Sequence, residues 1–239
     1  MKLSVVIPAF NEAQRLPSTL NKIFDYLKEF GLIAATEVIV VDDGSFDKTA
    51  DLVRSRPEQN LRLIRHGGNL GKGAAVRTGV RQARGEAVLF MDADYSTTLE
   101  ELSKFWPKLK QGYDLVIGSR AIAGARVLVR QNLVKVWLGK AGNLAVRWWL
   151  GLKIYDSQCG FKLFNQQAVK LFNQQTVKGW GFDFEILYLA KKRGLKVLEV
   201  PVSWTNNRES RVTSWDYLKT LRDLLNIKVN DLTGQYEKK

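Results

Sequence analysis

At 239 residues, 45% of them hydrophobic, the chain can build one large core. One cysteine, Cys159, excludes an intramolecular disulfide, and one histidine, His66, argues against a zinc site. A net charge of +13 favours polyanionic partners: nucleic acid, an anionic membrane surface or phosphorylated substrates.

In chain order, the first half alternates strand and helix. Residues 3–8 predict a strand, and 12–30 a helix with Leu16, Leu20, Ile23, Phe24 and Leu27 at helical spacing. A strand over 37–41, a helix over 47–54, a strand over 61–65 and a helix over 72–84 follow. The apolar run 87–91 predicts a buried strand ending at Asp92. A helix near 99–111 and a strand over 114–118 complete the series. Such alternation argues for parallel βαβ units with right-handed crossovers. The expected fold class is α/β, a mostly parallel, Rossmann-like sheet flanked by helices.

The pattern changes after residue 118. Residues 120–156 read as basic, aromatic and helical; from Arg120 to Tyr155 there are seven Lys or Arg and no Asp or Glu. Residues 133–152, with Trp137, Trp148 and Trp149, predict an amphipathic helix. It either lies in a membrane interface or packs on the core with a basic outer face. A short strand over 161–164, helices near 166–172 and 182–192 and a strand over 196–200 come next. A polar loop over 205–213 and an amphipathic helix over 215–229 end the series. No run approaches about 18 uninterrupted apolar residues, which predicts no spanning helix. Residues 1–4 lead straight into a strand pattern, without the apolar region and cleavage site of a signal peptide. We expect a single domain over 1–239, with a nucleotide-binding half over 1–119 and an acceptor- and membrane-facing half over 120–239.

Chemistry gathers at the strand ends. Pro8-Ala9-Phe10-Asn11-Glu12 follows the first strand, Asp42-Asp43-Gly44-Ser45 the second, Asp92-Ala93-Asp94 the fourth and Gly118-Ser119-Arg120 the fifth. Doubly wound sheets bind ligands beyond the carboxyl ends of their strands. One acidic strand end is often only a helix cap; four polar ends on one edge point to a site. Asp92 and Asp94, two residues apart, can project to the same side, where two buried carboxylates repel unless a cation neutralises them. Oxygen ligands suit Mg²⁺ or Mn²⁺ bridging carboxylates to phosphates; a solvated turn is the other reading of these residues.

The glycine-rich run from His66 to Gly73 precedes a helix and can offer backbone N–H groups to an anion. It is no Walker A loop, because Gly73 follows Gly71-Lys72 where Ser or Thr is required. His66 reads as a surface or hydrogen-bonded residue, and Cys159 as a packed small residue. Asp183 and Glu185, two apart on a predicted helix, face different directions, so at most one points into a site.

Together, Val6-Ile7-Pro8-Ala9-Phe10-Asn11-Glu12, Val40-Val41-Asp42-Asp43-Gly44-Ser45, Asn69-Leu70-Gly71-Lys72-Gly73, Asp92-Ala93-Asp94 and Gly118-Ser119-Arg120 resemble family-two glycosyltransferases of the GT-A fold. Within them, the segments from Asp156 to Phe164 and from Phe182 to Leu187 resemble the dolichyl-phosphate β-glucosyltransferase branch of polyprenyl-phosphate glycosyltransferases. The resemblance runs in order over about 3–235.

It implies a metal-dependent, inverting hexosyltransferase moving glucose from UDP-glucose to a polyprenyl phosphate. The protein would sit peripherally on an anionic membrane surface, at its cytoplasmic face, with no nucleic acid partner. The resemblance also implies residue roles. Asp42 accepts from the donor base, while Pro8, Phe10 and Glu12 line the nucleoside pocket and Lys72 belongs to the donor site. Asp92 and Asp94 hold Mg²⁺ or Mn²⁺ against the donor diphosphate. Arg120, Arg208 and Arg211 are phosphate clamps, since guanidinium matches phosphate oxygens bidentately. Asp156 orients the acceptor, assists as a base or caps a turn. Because a lipid phosphate is already anionic, strong base activation is unnecessary. The alternatives are a GDP-mannose donor, a soluble acceptor, or a non-catalytic basic module that binds membranes.

Overall fold

The computed structural model describes residues 2–128, 142–144, 146–205 and 214–237. Nine strands are described: β1 (Leu3–Ala9), β2 (Thr36–Asp42), β3 (Leu61–Arg65), β4 (Ala87–Met91), β5 (Leu115–Ser119), β6 (Arg126–Val127), β7 (Phe161–Asn165), β8 (Val197–Pro201) and β9 (Ser203–Trp204). The principal helices are α1 (Leu16–Glu29), α2 (Thr49–Arg54), α3 (Lys72–Gln82), α4 (Leu102–Lys110), α5 (Phe182–Lys192) and α6 (Ser214–Leu232).

Seven strands form one sheet in the order β3-β2-β1-β4-β7-β5-β8. Its pairs are parallel except at β7, which runs antiparallel to both β4 and β5. The central strands β4 and β5 are buried at every position because both faces are covered. Val5, Ile7, Leu89 and Met91 point into a core shared with α1 and α4. Val6, Ile39, Val88 and Phe90 point into a second core shared with α3, α5 and α6. All the catalytic candidates at the ends of β1, β2, β4 and β5 therefore emerge on one edge of a rigid sheet.

Two expectations change. The first helix begins at Leu16 rather than at residue 12, with Pro17 in its first turn. A helix begun at 12 would put the ring of Pro17 against the carbonyl of residue 13. The segment after β5 is not wholly helical: Arg126–Val127 forms a strand paired in parallel with Ser203–Trp204. A two-residue strand has no periodicity to read. Helix is described there at 142–144 and 146–150. Trp137, Arg130, Lys135 and Lys140 lie outside the described residues, as do Arg208 and Arg211. Among the described residues no helix is long and apolar enough to cross a membrane.

Candidate active site

The Asp92-Ala93-Asp94 turn leaves β4 at the centre of the sheet. Thr19 of α1 donates to the Ala93 carbonyl at 2.7 Å, and the Ser96 N–H donates to Asp94 Oδ1 at 3.0 Å. Tyr95 adopts a left-handed backbone (φ 55°), which bends the chain sharply behind Asp94. Both carboxylates are only partly buried, open to a ligand.

Behind them lies a row of alternating charges. Lys72, the first residue of α3, places Nζ 2.7 Å from Asp92 Oδ1. Its ammonium also sits 4.7 Å from the centroid of the Trp180 ring. On α5, Asp183 pairs with Lys162 of β7 at 2.6 Å, and both side chains are almost wholly buried. Lys162 Nζ also donates to the Cys159 carbonyl at 2.6 Å. Burial pulls the Lys72 ammonium down, but Asp92 and Asp183 outweigh it and raise its pKa. Burial pushes the Asp183 carboxyl up against the opposing pull of Lys162 and Lys72. Glu185 turns away: it accepts the Thr176 and Val177 N–H groups and the Tyr236 hydroxyl. Only Asp183 of the pair faces the site, as the helical spacing predicts.

These residues fit a divalent cation. Gly160 gives Asp92 a cradle: a Cβ there would lie 1.8 Å from Asp92 Oδ2. Among the described residues no cluster of three or more His, Cys, Asp or Glu forms a closed metal cage. A pair of carboxylates leaving positions for phosphate oxygens and water is the arrangement that suits Mg²⁺ or Mn²⁺. Gly160→Ala should therefore displace the Asp92 carboxylate and weaken Mn²⁺-dependent donor binding at least tenfold, about 1.4 kcal/mol. Calorimetric titration with and without Mn²⁺ checks it; unchanged affinity would remove Asp92 from the metal site.

The second strand end organises the glycine-rich loop. Asp43 accepts the Leu70 and Gly71 N–H groups at 3.0 and 2.8 Å. It also meets His66 Nδ1 at 2.7 Å, while His66 Nε2 lies 3.0 Å from the Thr78 hydroxyl. His66 is thus a hydrogen-bonded loop residue. Gly71 (φ 102°) brings the backbone against the Lys178 carbonyl, where a Cβ would lie 2.4 Å away. Asp42 is fully buried; it accepts the Ser45 N–H at 3.1 Å and pairs with Arg65 Nε at 2.9 Å. Arg65 in turn borders a shallow cavity of about 450 Å³ with Ser45, Phe46 and Gly68. The rings of Phe10 and Phe46 meet edge to face at 6.0 Å. Pro8 is half-buried at the end of β1. Glu12 engages the Arg15 guanidinium at 2.6 and 2.7 Å, so it enters the site as half of an ion pair.

At the fifth strand end, Arg120 and Asp156 hold each other. Nε and Nη2 of Arg120 meet the two carboxylate oxygens at 2.7 and 2.9 Å, and the Arg120 N–H adds a third bond at 2.8 Å. The guanidinium lies 5.2 Å from the Trp204 ring centroid. Burial alone would raise the Asp156 pKa; Arg120 overrides it and lowers it. A carboxylate so held is a weak base at neutral pH, and its two oxygens fix the orientation of the Arg120 guanidinium. Cys159 is buried and its thiol is pushed up to about 12 by burial, so it is inert packing.

Sequence reasoning missed Lys162, Gly160 and Trp180. The one available signal was a lysine inside the apolar run Phe161-Lys162-Leu163-Phe164, matched by an acid inside Phe182-Asp183-Phe184. Buried charges of opposite sign in apolar elements predict a pair, though not which partner.

The model of Glycosyl transferase family 2 matches residues 4–172. The chain is 38% identical over 251 residues to dolichyl-phosphate beta-glucosyltransferase of Drosophila melanogaster, covering 99% of this chain and 77% of the relative. It is 35% identical over 257 residues to the enzyme of that name from Mus musculus, covering 100% of this chain and 78% of the relative. Among solved structures, mannosyl-3-phosphoglycerate synthase from Rubrobacter xylanophilus has a TM-score of 0.73 at 19% identity, covering 98% of this chain and 75% of that one. Glucosyl-3-phosphoglycerate synthase from Mycobacterium tuberculosis, in complex with Mn²⁺, UDP-glucose and phosphoglyceric acid, has a TM-score of 0.68 at 22% identity, covering 95% and 79%. At these identities the structures show the fold, which is GT-A.

Proposed function

Since the chain belongs to glycosyl transferase family 2, we propose that it transfers glucose from UDP-glucose to a polyprenyl phosphate of the dolichyl type at a membrane surface. The observation that carries this reading is the Asp92/Asp94 pair at the tip of β4, backed by Lys72, in a chain whose near full-length relatives are named for that reaction. In the transfer, the bond from the anomeric carbon to the UDP β-phosphate oxygen breaks. A new bond forms from the same carbon to an acceptor phosphate oxygen, with inversion.

Asp92 and Asp94 would hold a divalent cation, which would supply positive charge to the departing diphosphate. Lys72, its ammonium kept charged by Asp92 and Asp183, supplies a second positive group beside the same phosphates. Asp42, Pro8, Phe10 and Glu12 flank the nucleoside end, with Arg65 the residue a donor base must displace from Asp42. Arg120 faces the acceptor phosphate, steadied by Asp156 and Trp204. The phosphate acceptor is its own anion, which agrees with an Asp156 too weakly basic to activate a hydroxyl. The nucleotide half is 1–119 and the acceptor half 120–239, and the work takes place at the cytoplasmic face.

The test is transfer of labelled glucose from UDP-glucose to detergent-dispersed dolichyl phosphate with Mg²⁺ or Mn²⁺. We expect a glucolipid sensitive to chelation. Transfer only to a soluble phosphorylated acceptor, or only from GDP-mannose, would overturn the assignment.

A further inference from the structure

Helix α6 carries an apolar face that nothing described covers. Leu221, Leu225, Val229 and Leu232 are 57, 49, 54 and 85% exposed. Their spacing confines them to an arc of about 80° on the helix surface. The inner side of the same helix, Leu224 and Ile227, is buried in the second core. Beside it, the Trp149 indole N–H donates to the Leu224 carbonyl at 3.3 Å, which fixes the helical turn 146–150 against α6. Trp149 is 41% and the neighbouring Trp148 81% exposed. Single exposed aromatics are ordinary; a contiguous aliphatic stripe flanked by two tryptophans is not.

The rim of this face is basic. Lys228, Lys191 and Lys192 border a recess of about 250 Å³ with Tyr188 and Asp231. Lys192 is satisfied by Asp231 and Glu237. Lys191 instead reaches the Leu150 carbonyl and Lys228 lies over the Tyr188 ring, neither in an ion pair among the described residues. Arg222 is exposed on the other flank.

From these observations we infer that the outer face of α6, with Trp148 and Trp149, lies in the plane of an anionic bilayer. Aliphatic side chains and indoles enter the headgroup boundary, while Lys191, Lys228 and Arg222 meet lipid phosphates. This deepens the proposed lipid acceptor and rests on that reading for its purpose. It also connects the membrane to the site. Asp223, on the inner side of α6, accepts the Gly181 N–H at 3.2 Å. It thereby grips the loop whose Trp180 covers Lys72.

The test is co-sedimentation with vesicles of equal parts phosphatidylcholine and phosphatidylglycerol, at low salt and at about 0.5 M salt. The chain should sediment at low salt and keep a salt-resistant fraction. A Leu225→Glu/Val229→Glu variant should lose at least about tenfold in partitioning, at both salts. A Lys228→Glu variant should lose mainly the low-salt component. Both should melt as the parent does and glucosylate detergent-dispersed dolichyl phosphate at the parent's rate. Unchanged sedimentation of the double variant would overturn the inference. So would a lowered melting temperature, which means that the chain itself covers the face, or a shift from dimer to monomer, which means that a second copy does. Vesicle binding without any transfer to dolichyl phosphate would overturn the proposed reaction and leave this surface standing.

Discussion

Replacing Asp92 or Asp94 by alanine is expected to reduce glucosyl transfer by about three orders of magnitude, while the chain still folds. In the proposed site each carboxylate would supply charge to one cation, and neither alone would hold it against a diphosphate. The two variants should differ in stability. Asp92 is the partner of Lys72 at 2.7 Å, and its loss leaves that ammonium with Asp183, the more distant Asp94 and the Trp180 face. Asp94→Ala removes, among its contacts, the hydrogen bond from the Ser96 N–H, worth about 0.5–1.5 kcal/mol. Asp92→Ala should therefore melt lower than Asp94→Ala without metal. Turnover at saturating UDP-glucose over a Mn²⁺ titration, with melting curves alongside, measures both effects. Full activity in either variant would remove the metal site from the tip of β4.

Lys162→Met should cost about 3–5 kcal/mol, because it leaves the Asp183 carboxylate buried without its closest counter-charge. In a domain of this size that lowers the melting temperature by roughly 6–20 °C. The double variant Lys162→Met/Asp183→Asn should recover much of the loss, since it removes both charges together. The single variant also has a predictable pH dependence. Burial already pushes the Asp183 carboxyl up, and without Lys162 it moves further in that direction. A group whose folded pKa lies above its unfolded one binds more protons in the native state. Stability is then complete below the unfolded carboxylate range and falls as pH rises through the folded pKa. The single variant should gain stability toward about pH 5 and lose it toward about pH 8. If the single and double variants melt alike at every pH, the pair is not what organises this part of the core.

Much of the architecture was legible because it is local. Strand and helix periodicities gave the alternation of β1 to β5, and a buried apolar run ending in Asp92-Ala93-Asp94 put two carboxylates at a strand tip. Helical geometry alone divided Asp183 from Glu185, and they do face apart. The ordered motifs identified the family, because each marks a strand end and a doubly wound sheet gathers those ends on one edge.

What the tertiary structure decided is pairing. No periodicity tells that the strand from Phe161 to Asn165 inserts antiparallel between β4 and β5, which carries Lys162 beneath Asp183. Arg120 read in isolation is a free phosphate clamp; 36 residues on, Asp156 returns to hold it by three hydrogen bonds. Asp42 read in isolation is an open acceptor, and Arg65 from the neighbouring strand occupies it. In each case the residue type and its element follow from short-range sequence, which fixes backbone conformation and facing. The electrostatic state follows from partners far apart in the chain, brought within 3 Å only when the sheet closes and water leaves.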